Sequence, residues 1–180
     1  MKKLKAGVIG LGMGKGHIDK FREHPMVEVV AIADLDEEKL KKIGEDKQIT
    51  NLYNDPEKMI KEAGLDIVAI AVPNKFHKPL TITALEAGLH VICEKPMAMN
   101  AQEAEDMLEA AKKAGKKLQI NFSFRFTPQS YAMKKQVEAG LLGDIYFCRT
   151  VWQRRRGMPG FGGWFGTKAL SGGGPLIDLG

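Results

Sequence analysis

The sequence has little cysteine and no long apolar stretch, and both shortages limit what the protein can be. Two of its 180 residues are cysteine. Cys93 and Cys148 each lie in an apolar, strand-like run, so we expect reduced core residues and not a disulfide. No apolar run approaches the roughly 18 residues of a membrane span, and the apolar patch after the N-terminal lysines is too short for a signal peptide. We therefore predict a cytoplasmic protein without a membrane partner.

Aromatic residues are also scarce, at 7% of the chain, although the formal net charge is +5. Most of that excess is scattered lysine on predicted helix faces, which is typical of solvated surface. The densest basic run is Arg154-Arg155-Arg156, near Trp152, but no recognisable nucleic-acid-binding module surrounds it. We predict no nucleic-acid partner. The arginines could reach a charged substrate, although a surface or subunit-interface role is favoured.

Short apolar runs alternate with amphipathic stretches along the first two thirds of the chain. The predicted strands are Lys5–Ile9, Val27–Ala33, Asp66–Val72, Leu89–Cys93 and Leu118–Phe122. The predicted helices are Gly16–Glu23, Asp36–Glu45, His77–Ala87 and Ala101–Ala114. This βαβα rhythm predicts an α/β fold, a Rossmann-type doubly wound parallel sheet with helices on both faces.

The pattern changes after about Asn121, where we place a domain boundary. A helix is predicted at Pro128–Ala139 and a long strand at Asp144–Arg154. Gly157–Pro175 then holds eight glycines in 19 residues. An irregular segment of this length is typical of a functional or mobile loop.

The first predicted strand leads into GVIGLGMGKGHI, residues 7–18. Gly10 and Gly12 would supply the tight turn and close backbone approach of a dinucleotide-binding turn, beside a helix N-terminus that binds pyrophosphate. The third glycine of G-x-G-x-x-G is replaced by Lys15. A shorter turn would give Gly14 the helix-packing role, and a longer one would give it to Gly16; we favour the shorter. The predicted phosphate-binding residues are Gly10, Gly12, Met13 and Gly14.

An acidic residue ends the second predicted strand. Asp34 lies 24 residues after Gly10, where a carboxylate accepts hydrogen bonds from the ribose hydroxyls of adenosine and repels a 2′-phosphate. Asp34 or Asp36 could instead cap the following helix, and the two could divide these roles. The predicted cofactor is NAD, with NADP less favoured.

The segment VICEKPMAMN, residues 91–100, places Glu94, Lys95 and Pro96 at the end of a predicted strand. Ligands of doubly wound sheets bind at the carboxyl ends of the strands. The Lys95 ammonium could there stabilise charge on a hydroxyl or carbonyl oxygen, or relay a proton. Pro96 would fix the backbone, and Glu94 would hold the lysine side chain or nearby backbone. An ordinary exposed loop lysine is the alternative.

The stretch AVPNKFHKPLTITALEAGLHVICEKPMA, residues 71–98, resembles the signature of the Gfo/Idh/MocA oxidoreductase family. The resemblance continues through NFSFRFTPQ (121–129), GLLGDIYFCRT (140–150) and GWFGTKALSGGGPLIDLG (163–180). It implies an NAD(P)-dependent oxidoreductase that transfers hydride between nicotinamide and a sugar, inositol or related polyol. A non-catalytic dinucleotide-binding sensor of the same fold is the alternative.

The resemblance also implies roles for individual residues. Lys95 would be catalytic, and Asp178 matches the aspartate of a D-x-x-x-H pattern whose histidine would fall beyond Gly180. The implied cofactor-binding residues are Pro73, Asn74, His77, Glu94, Lys95, Arg125 and Trp164. No metal site is predicted.

The family's organisation sets the expected domains. Residues 1–121 would form the dinucleotide-binding domain, and residues 122–180 would begin a C-terminal α+β domain for substrate binding and oligomer contacts. The sequence would then be an N-terminal portion of a homo-oligomeric protein. A long strand at Asp144–Arg154 without its sheet would expose unpaired edges, so either the protein continues or a second chain completes the sheet.

Overall fold

A parallel six-stranded sheet forms the centre of the molecule, whose computed structural model describes residues 2–153, 155 and 162–179. The strands follow the order β3-β2-β1-β4-β5-β6, and every neighbouring pair is parallel. Their bounds are β1 (Leu4–Ile9), β2 (Val27–Ala33), β3 (Asn51–Tyr53), β4 (Ile67–Ile70), β5 (His90–Glu94) and β6 (Leu118–Asn121). The predicted fold class is confirmed for this part of the chain.

The described residues form eight α-helices, of which the first five in the chain cover both faces of this sheet. They are α1 (Gly14–Glu23), α2 (Glu37–Asp46), α3 (Pro56–Glu62), α4 (His77–Glu86), α5 (Ala101–Ala114), α6 (Pro128–Glu138), α7 (Lys168–Ser171) and α8 (Pro175–Leu179). Buried residues of α1 and α2 share one apolar cluster with Val8 and Ile32. Those of α3, α4 and α5 share the other with Ile9 and Ile70. Val8 and Ile9 face opposite clusters because side chains alternate along a strand.

Local chemistry sets several helix ends. The side chain of Asp36 accepts from the backbone N–H of Lys39 and begins α2, and Asn100 does the same for α5 through Glu103. Gly115 ends α5 in the left-handed conformation, which glycine adopts without a steric penalty. Neither β3 nor α3 was predicted. For β3 the reason is that three strand residues are too few to show a period of two.

The predicted strand at Asp144–Arg154 is wrong for residues 144–153, which contain no strand; Arg154 lies outside the described residues. A strand needs the N–H and C=O groups of a neighbour, and residues 144–153 pair with none of the six strands of this sheet. Cys93 is buried as predicted, but Cys148 is exposed because its segment packs into no core.

Two other predicted features fall partly outside the described residues. The first is the basic run Arg154-Arg155-Arg156, of which only Arg155 is described, and it is exposed. The second is the glycine-rich segment, whose residues 157–161 lie outside the described residues. The remainder of that segment holds a 3-10 turn at Trp164–Gly166, followed by α7. Within residues 2–153, 155 and 162–179, no helix is both long and apolar enough to cross a membrane.

Candidate functional site

The glycine turn after β1 lies against the end of β4, where the strand order changes direction. Gly10 has φ +85°, and a Cβ atom there would stand 2.3 Å from the carbonyl oxygen of Ala71. A side chain at residue 10 would therefore be strained by its backbone conformation and would also collide with the neighbouring strand. Position 10 accepts only glycine without rearrangement, and the turn sits at the switch point that binds ligands in doubly wound sheets.

The remaining glycines of the turn divide two tasks. A Cβ at Gly14 would lie 2.8 Å from Cγ1 of Val8, whereas one at Gly16 would meet nothing within 4 Å. Gly14 is thus the packing glycine, in agreement with the shorter turn.

Gly12 borders open space, since a Cβ there also meets nothing within 4 Å. Met13 beside it is 73% exposed. The described hydrogen bonds of the turn employ the N–H groups of Gly10, Leu11, Gly14 and Gly16 and none from Gly12 or Met13. Free N–H groups at the start of a ten-residue helix fit a pyrophosphate.

Asp34 stands at the end of β2 and braces the same turn. Its Oδ2 accepts from the backbone N–H of Leu11 at 2.7 Å, and its Oδ1 accepts from the backbone N–H of Asp36 at 2.9 Å. Asp36 is the cap of α2, so the capping role left open between the two aspartates belongs to Asp36. The Asp34 carboxylate is left beside the glycine turn, where an adenosine ribose would lie.

Lys39 also reaches this carboxylate, a contact that sequence reasoning missed. Its Nζ lies 3.3 Å from Oδ1 of Asp34 and 3.4 Å from Oδ2 of Asp36. Desolvation lowers the pKa of Lys39, but the two carboxylates raise it by more. The i,i+3 spacing from Asp36 was the available sequence evidence.

Lys95 and Asp178 form an ion pair across 83 positions of sequence. The Lys95 Nζ donates to Oδ1 of Asp178 and, at 3.2 Å, to the Asp178 carbonyl oxygen. Their side chains are 35% and 20% exposed. Both residues predicted as catalytic are therefore in contact, beside the end of β5 and still accessible to a small molecule.

Glu94 does not hold the Lys95 side chain, contrary to one predicted alternative. Its Oε1 accepts from Nδ2 of Asn121 at 2.7 Å and pairs with Nε2 of His17 at 2.8 Å. Burial raises the pKa of Glu94, but these two hydrogen bonds lower it by more, and the Lys95 backbone adds to them. The carboxylate thus ties the strand ends of β5 and β6 to α1, because all three converge at one edge.

His17 and Asn121 were missed as members of this network. Neither lies in a motif with Glu94, and the His17–Glu94 contact joins residues 77 positions apart. The one indication in the sequence was the position of His17 directly after the glycine turn.

Asn74 and His77 are buried, at 5% and 0% exposure. Asn74 Nδ2 donates to the carbonyl oxygen of Ser171 at 2.7 Å. The His77 ring nitrogens lie 2.7 Å from the Pro96 carbonyl oxygen and 2.9 Å from that of Val72. Contact between His77 and a nicotinamide is not supported, since a fully buried ring offers a ligand no surface.

The other predicted cofactor residues are arranged less tightly. Pro73 is half-buried and precedes the 3-10 turn Asn74–Phe76. Arg125 is exposed on the 3-10 turn Ser123–Phe126. Trp164 is half-buried, and its ring centroid lies 4.9 Å from that of Phe165. Among the described hydrogen bonds and ion pairs, none joins these three residues to the Lys95–Asp178 pair.

Over residues 2–153, 155 and 162–179, no group of three or more His, Cys, Asp and Glu side chains could hold a metal ion.

Residues 4–122 match the model of an oxidoreductase family with an NAD-binding Rossmann fold. The chain belongs to the Gfo/Idh/MocA oxidoreductase family. The resemblance inferred from residues 71–98 is thereby confirmed, and the family's cofactor, NAD, fits the open turn at Gly12 and the carboxylate of Asp34.

Relatives in this family are similar over most of the chain. D-glucoside 3-dehydrogenase from Escherichia coli is 38% identical over 179 residues, which are 98% of this chain and 51% of the relative. A solved NAD-binding protein from Listeria innocua is 30% identical, with a TM-score of 0.87 over 99% of this chain and 52% of that one. The chain therefore spans about half the length of these relatives.

A third relative was solved with its ligands. It is scyllo-inositol dehydrogenase from Lactobacillus casei with bound NAD(H) and scyllo-inositol. It is 27% identical, with a TM-score of 0.75 over 79% of this chain and 43% of that one.

Proposed function

We propose that the protein is an NAD-dependent dehydrogenase acting on a carbinol group of a sugar, inositol or related polyol. The Lys95–Asp178 ion pair carries this proposal, because it places an ammonium and a carboxylate at the ligand-binding edge of the sheet. The names of the glucoside and inositol dehydrogenases in the family support the substrate class.

The residues of this chain would divide the work. NAD, when bound, would supply the acceptor for the hydride of the carbinol carbon, and the hydroxyl proton would pass to the histidine that the family pattern expects after Asp178. The Lys95 ammonium would donate a hydrogen bond to the substrate oxygen and stabilise negative charge developing there. Asp178 would orient the substrate hydroxyl or the histidine that the family pattern expects four positions later. The N–H groups of Gly12 and Met13 would hold the pyrophosphate, and Asp34 the ribose.

Several wider expectations belong to the same proposal. The sheet ends at Asn121 and the family match at residue 122, which supports a dinucleotide-binding domain at 1–121 and a second domain beginning at 122. We expect a homo-oligomer in the cytoplasm, with a small-molecule substrate and no nucleic-acid partner. Arg125 and Trp164 would approach the cofactor once the second domain is assembled.

A titration of the intact protein with NADH and then NADPH, followed by calorimetry, tests the cofactor. We expect tighter binding of NADH, since the Asp34 carboxylate repels a 2′-phosphate. Binding of NADPH alone would contradict the role given to Asp34.

Turnover on a panel of sugars and inositols then tests the chemistry. Lys95→Ala should reduce kcat by about a thousandfold, typical of the loss of one charge-stabilising donor, while NADH affinity stays nearly unchanged. Lys78→Ala is the matched control, because Lys78 pairs with Asp106 at similar exposure, 33% and 32%, between α4 and α5. NADH binding without turnover on any substrate would favour the sensor alternative.

A further inference from the structure

Asn74 and His77 belong to one short loop after β4, and the cofactor does not explain their burial. Both are polar residues with almost no exposed surface. A buried polar side chain is unfavourable unless its hydrogen bonds are satisfied. Each of these side chains contacts a backbone carbonyl of another segment, that of Ser171 for Asn74 and that of Pro96 for His77, so each holds that segment in place.

Asn74 holds the segment that carries Asp178. Its amide donates to the carbonyl oxygen of Ser171, the last residue of α7, 97 positions away. Ser171 is itself 4% exposed. The chain then turns at Gly172 with φ +83°, where a Cβ would lie 3.2 Å from both Met99 and Ile177. This close packing joins the Ser171 anchor directly to α8 and hence to Asp178.

His77 holds the segment that carries Lys95. Its Nδ1 lies 2.7 Å from the carbonyl oxygen of Pro96, the residue after Lys95. Its Nε2 lies 2.9 Å from the carbonyl oxygen of Val72, which follows β4. A neutral imidazole has one N–H, so the ring donates to one of these carbonyls and packs against the other, between the loops after two adjacent strands.

We propose that Asn74 and His77 are positioning residues that hold Asp178 and Lys95 opposite each other. Asn74 fixes the aspartate side of the ion pair and His77 fixes the lysine side, from positions three residues apart in the chain. The two positioning contacts can be tested in the absence of turnover, and only their importance for catalysis rests on the proposed function.

The reactivity of Lys95 measures this arrangement directly. Acetylation by an N-hydroxysuccinimide ester, followed residue by residue with mass spectrometry, reports how firmly the ammonium is paired in the intact protein. Asp178→Asn removes the counter-ion and sets the fully released rate. Labelling of Lys78 in the same sample is an internal reference, since its partner is Asp106.

Asn74→Asp is the decisive variant, because it keeps the side-chain volume, removes the N–H donor and sets a carboxylate against the Ser171 carbonyl oxygen. We expect Lys95 to react about fivefold faster, the factor that corresponds to one lost hydrogen bond. Asn51→Asp is the matched control, since Asn51 Nδ2 also donates to a backbone carbonyl, that of Val30 at 3.0 Å, at the far edge of the sheet. The control should leave the Lys95 rate unchanged.

His77→Phe should likewise accelerate Lys95 labelling, and His77→Gln, which keeps an N–H donor, should restore part of the slow rate. That partial rescue distinguishes donor chemistry from ring packing. In turnover, both Asn74→Asp and His77→Phe should lower kcat with little change in KM for NAD.

Three results would overturn the proposal. One is a wild-type Lys95 rate in both Asn74→Asp and His77→Phe while Asp178→Asn reacts faster. Another is equal acceleration in Asn74→Asp and Asn51→Asp, which indicates general loosening. The third is a wild-type rate in Asp178→Asn, which would mean that the ion pair is absent in solution. Accelerated labelling without turnover on any polyol would leave the positioning role standing and refute the dehydrogenase function.

Discussion

Residues 4–121 and residues 122–153 both contain large apolar side chains, but only the first region buries them. The first region holds fully buried side chains at the centre of the sheet, such as Val68 and Ile70 of β4 at 0% exposure. In the second, no residue is buried. Apolar side chains there stand in solvent, with Phe126 at 72% and Tyr146 at 98% exposure.

The difference shows that apolar side chains form a core only where a second layer of secondary structure packs against them. The central strands of the first region have helices on both faces and a strand at each side. The second region has one helix, α6, with no buried residue, and an irregular stretch after it. Its apolar surface is of the kind that marks an interaction face, which agrees with the proposed second domain.

The largest effect on stability should come from a cavity in the core of the first region. Ile70→Ala should lower the free energy of unfolding by about 2–5 kcal/mol, because it removes a fully buried side chain from a central strand. Urea denaturation followed by circular dichroism measures this.

Ile145→Ala is the control in the second region, since Ile145 is 55% exposed. It should change the free energy of unfolding by less than about 0.5 kcal/mol. Equal losses for the two variants would mean that the second region is packed as well as the first, and the contrast between them would be wrong.

Two glycines with positive φ sharpen the same contrast at smaller magnitude. Gly10→Ala places a Cβ against Ala71 at φ +85°, whereas Gly140→Ala, at φ +69°, meets nothing within 4 Å. We expect a loss of about 2–3 kcal/mol for Gly10→Ala, from strain plus collision, and about 1 kcal/mol for Gly140→Ala, from strain alone.

NADH titration of the same two variants separates their functional effects. Gly10→Ala should weaken binding by about tenfold or more, since its turn must move away from the pyrophosphate site. Gly140→Ala should bind as the wild type does. An unchanged affinity in Gly10→Ala would remove that turn from the cofactor site.

The smallest effect concerns pH. Burial lowers the pKa of His77 below its ordinary value of 6.5, although the Pro96 and Val72 carbonyls and Glu94 oppose the shift. Below about pH 6.5 the unfolded chain therefore binds a proton that the folded chain does not, and stability falls as the pH falls. A difference of one between the pKa values of the folded and unfolded chain corresponds to about 1.4 kcal/mol of stability.

Comparison with His77→Phe isolates this contribution. The wild type should lose more stability than the variant between pH 7 and pH 5, as measured by urea denaturation at each pH. Parallel pH profiles would show that His77 keeps an ordinary pKa in the folded protein.

Much of the first region was predictable because its order is local. Alternating apolar runs gave the strands β1, β2, β4, β5 and β6, and the turn at Gly10 and the Glu94-Lys95-Pro96 run stood out as short motifs. β3 was not predicted because three residues are too few to show an alternating pattern. The strand at Asp144–Arg154 was predicted from residues that favour extended backbone, but propensity yields a strand only beside a partner.

The sequence by itself determined the parallel α/β class, the glycine turn, the acidic residue after β2 and the family, because each depends on residues close together in the chain. Only the tertiary structure decided that Glu94 pairs with His17 and Asn121, that Asn74 holds Ser171, and that Lys95 meets Asp178. These contacts join residues 27 to 97 positions apart. Such distant partners meet because parallel strands bring their carboxyl ends to one edge, which no local pattern encodes.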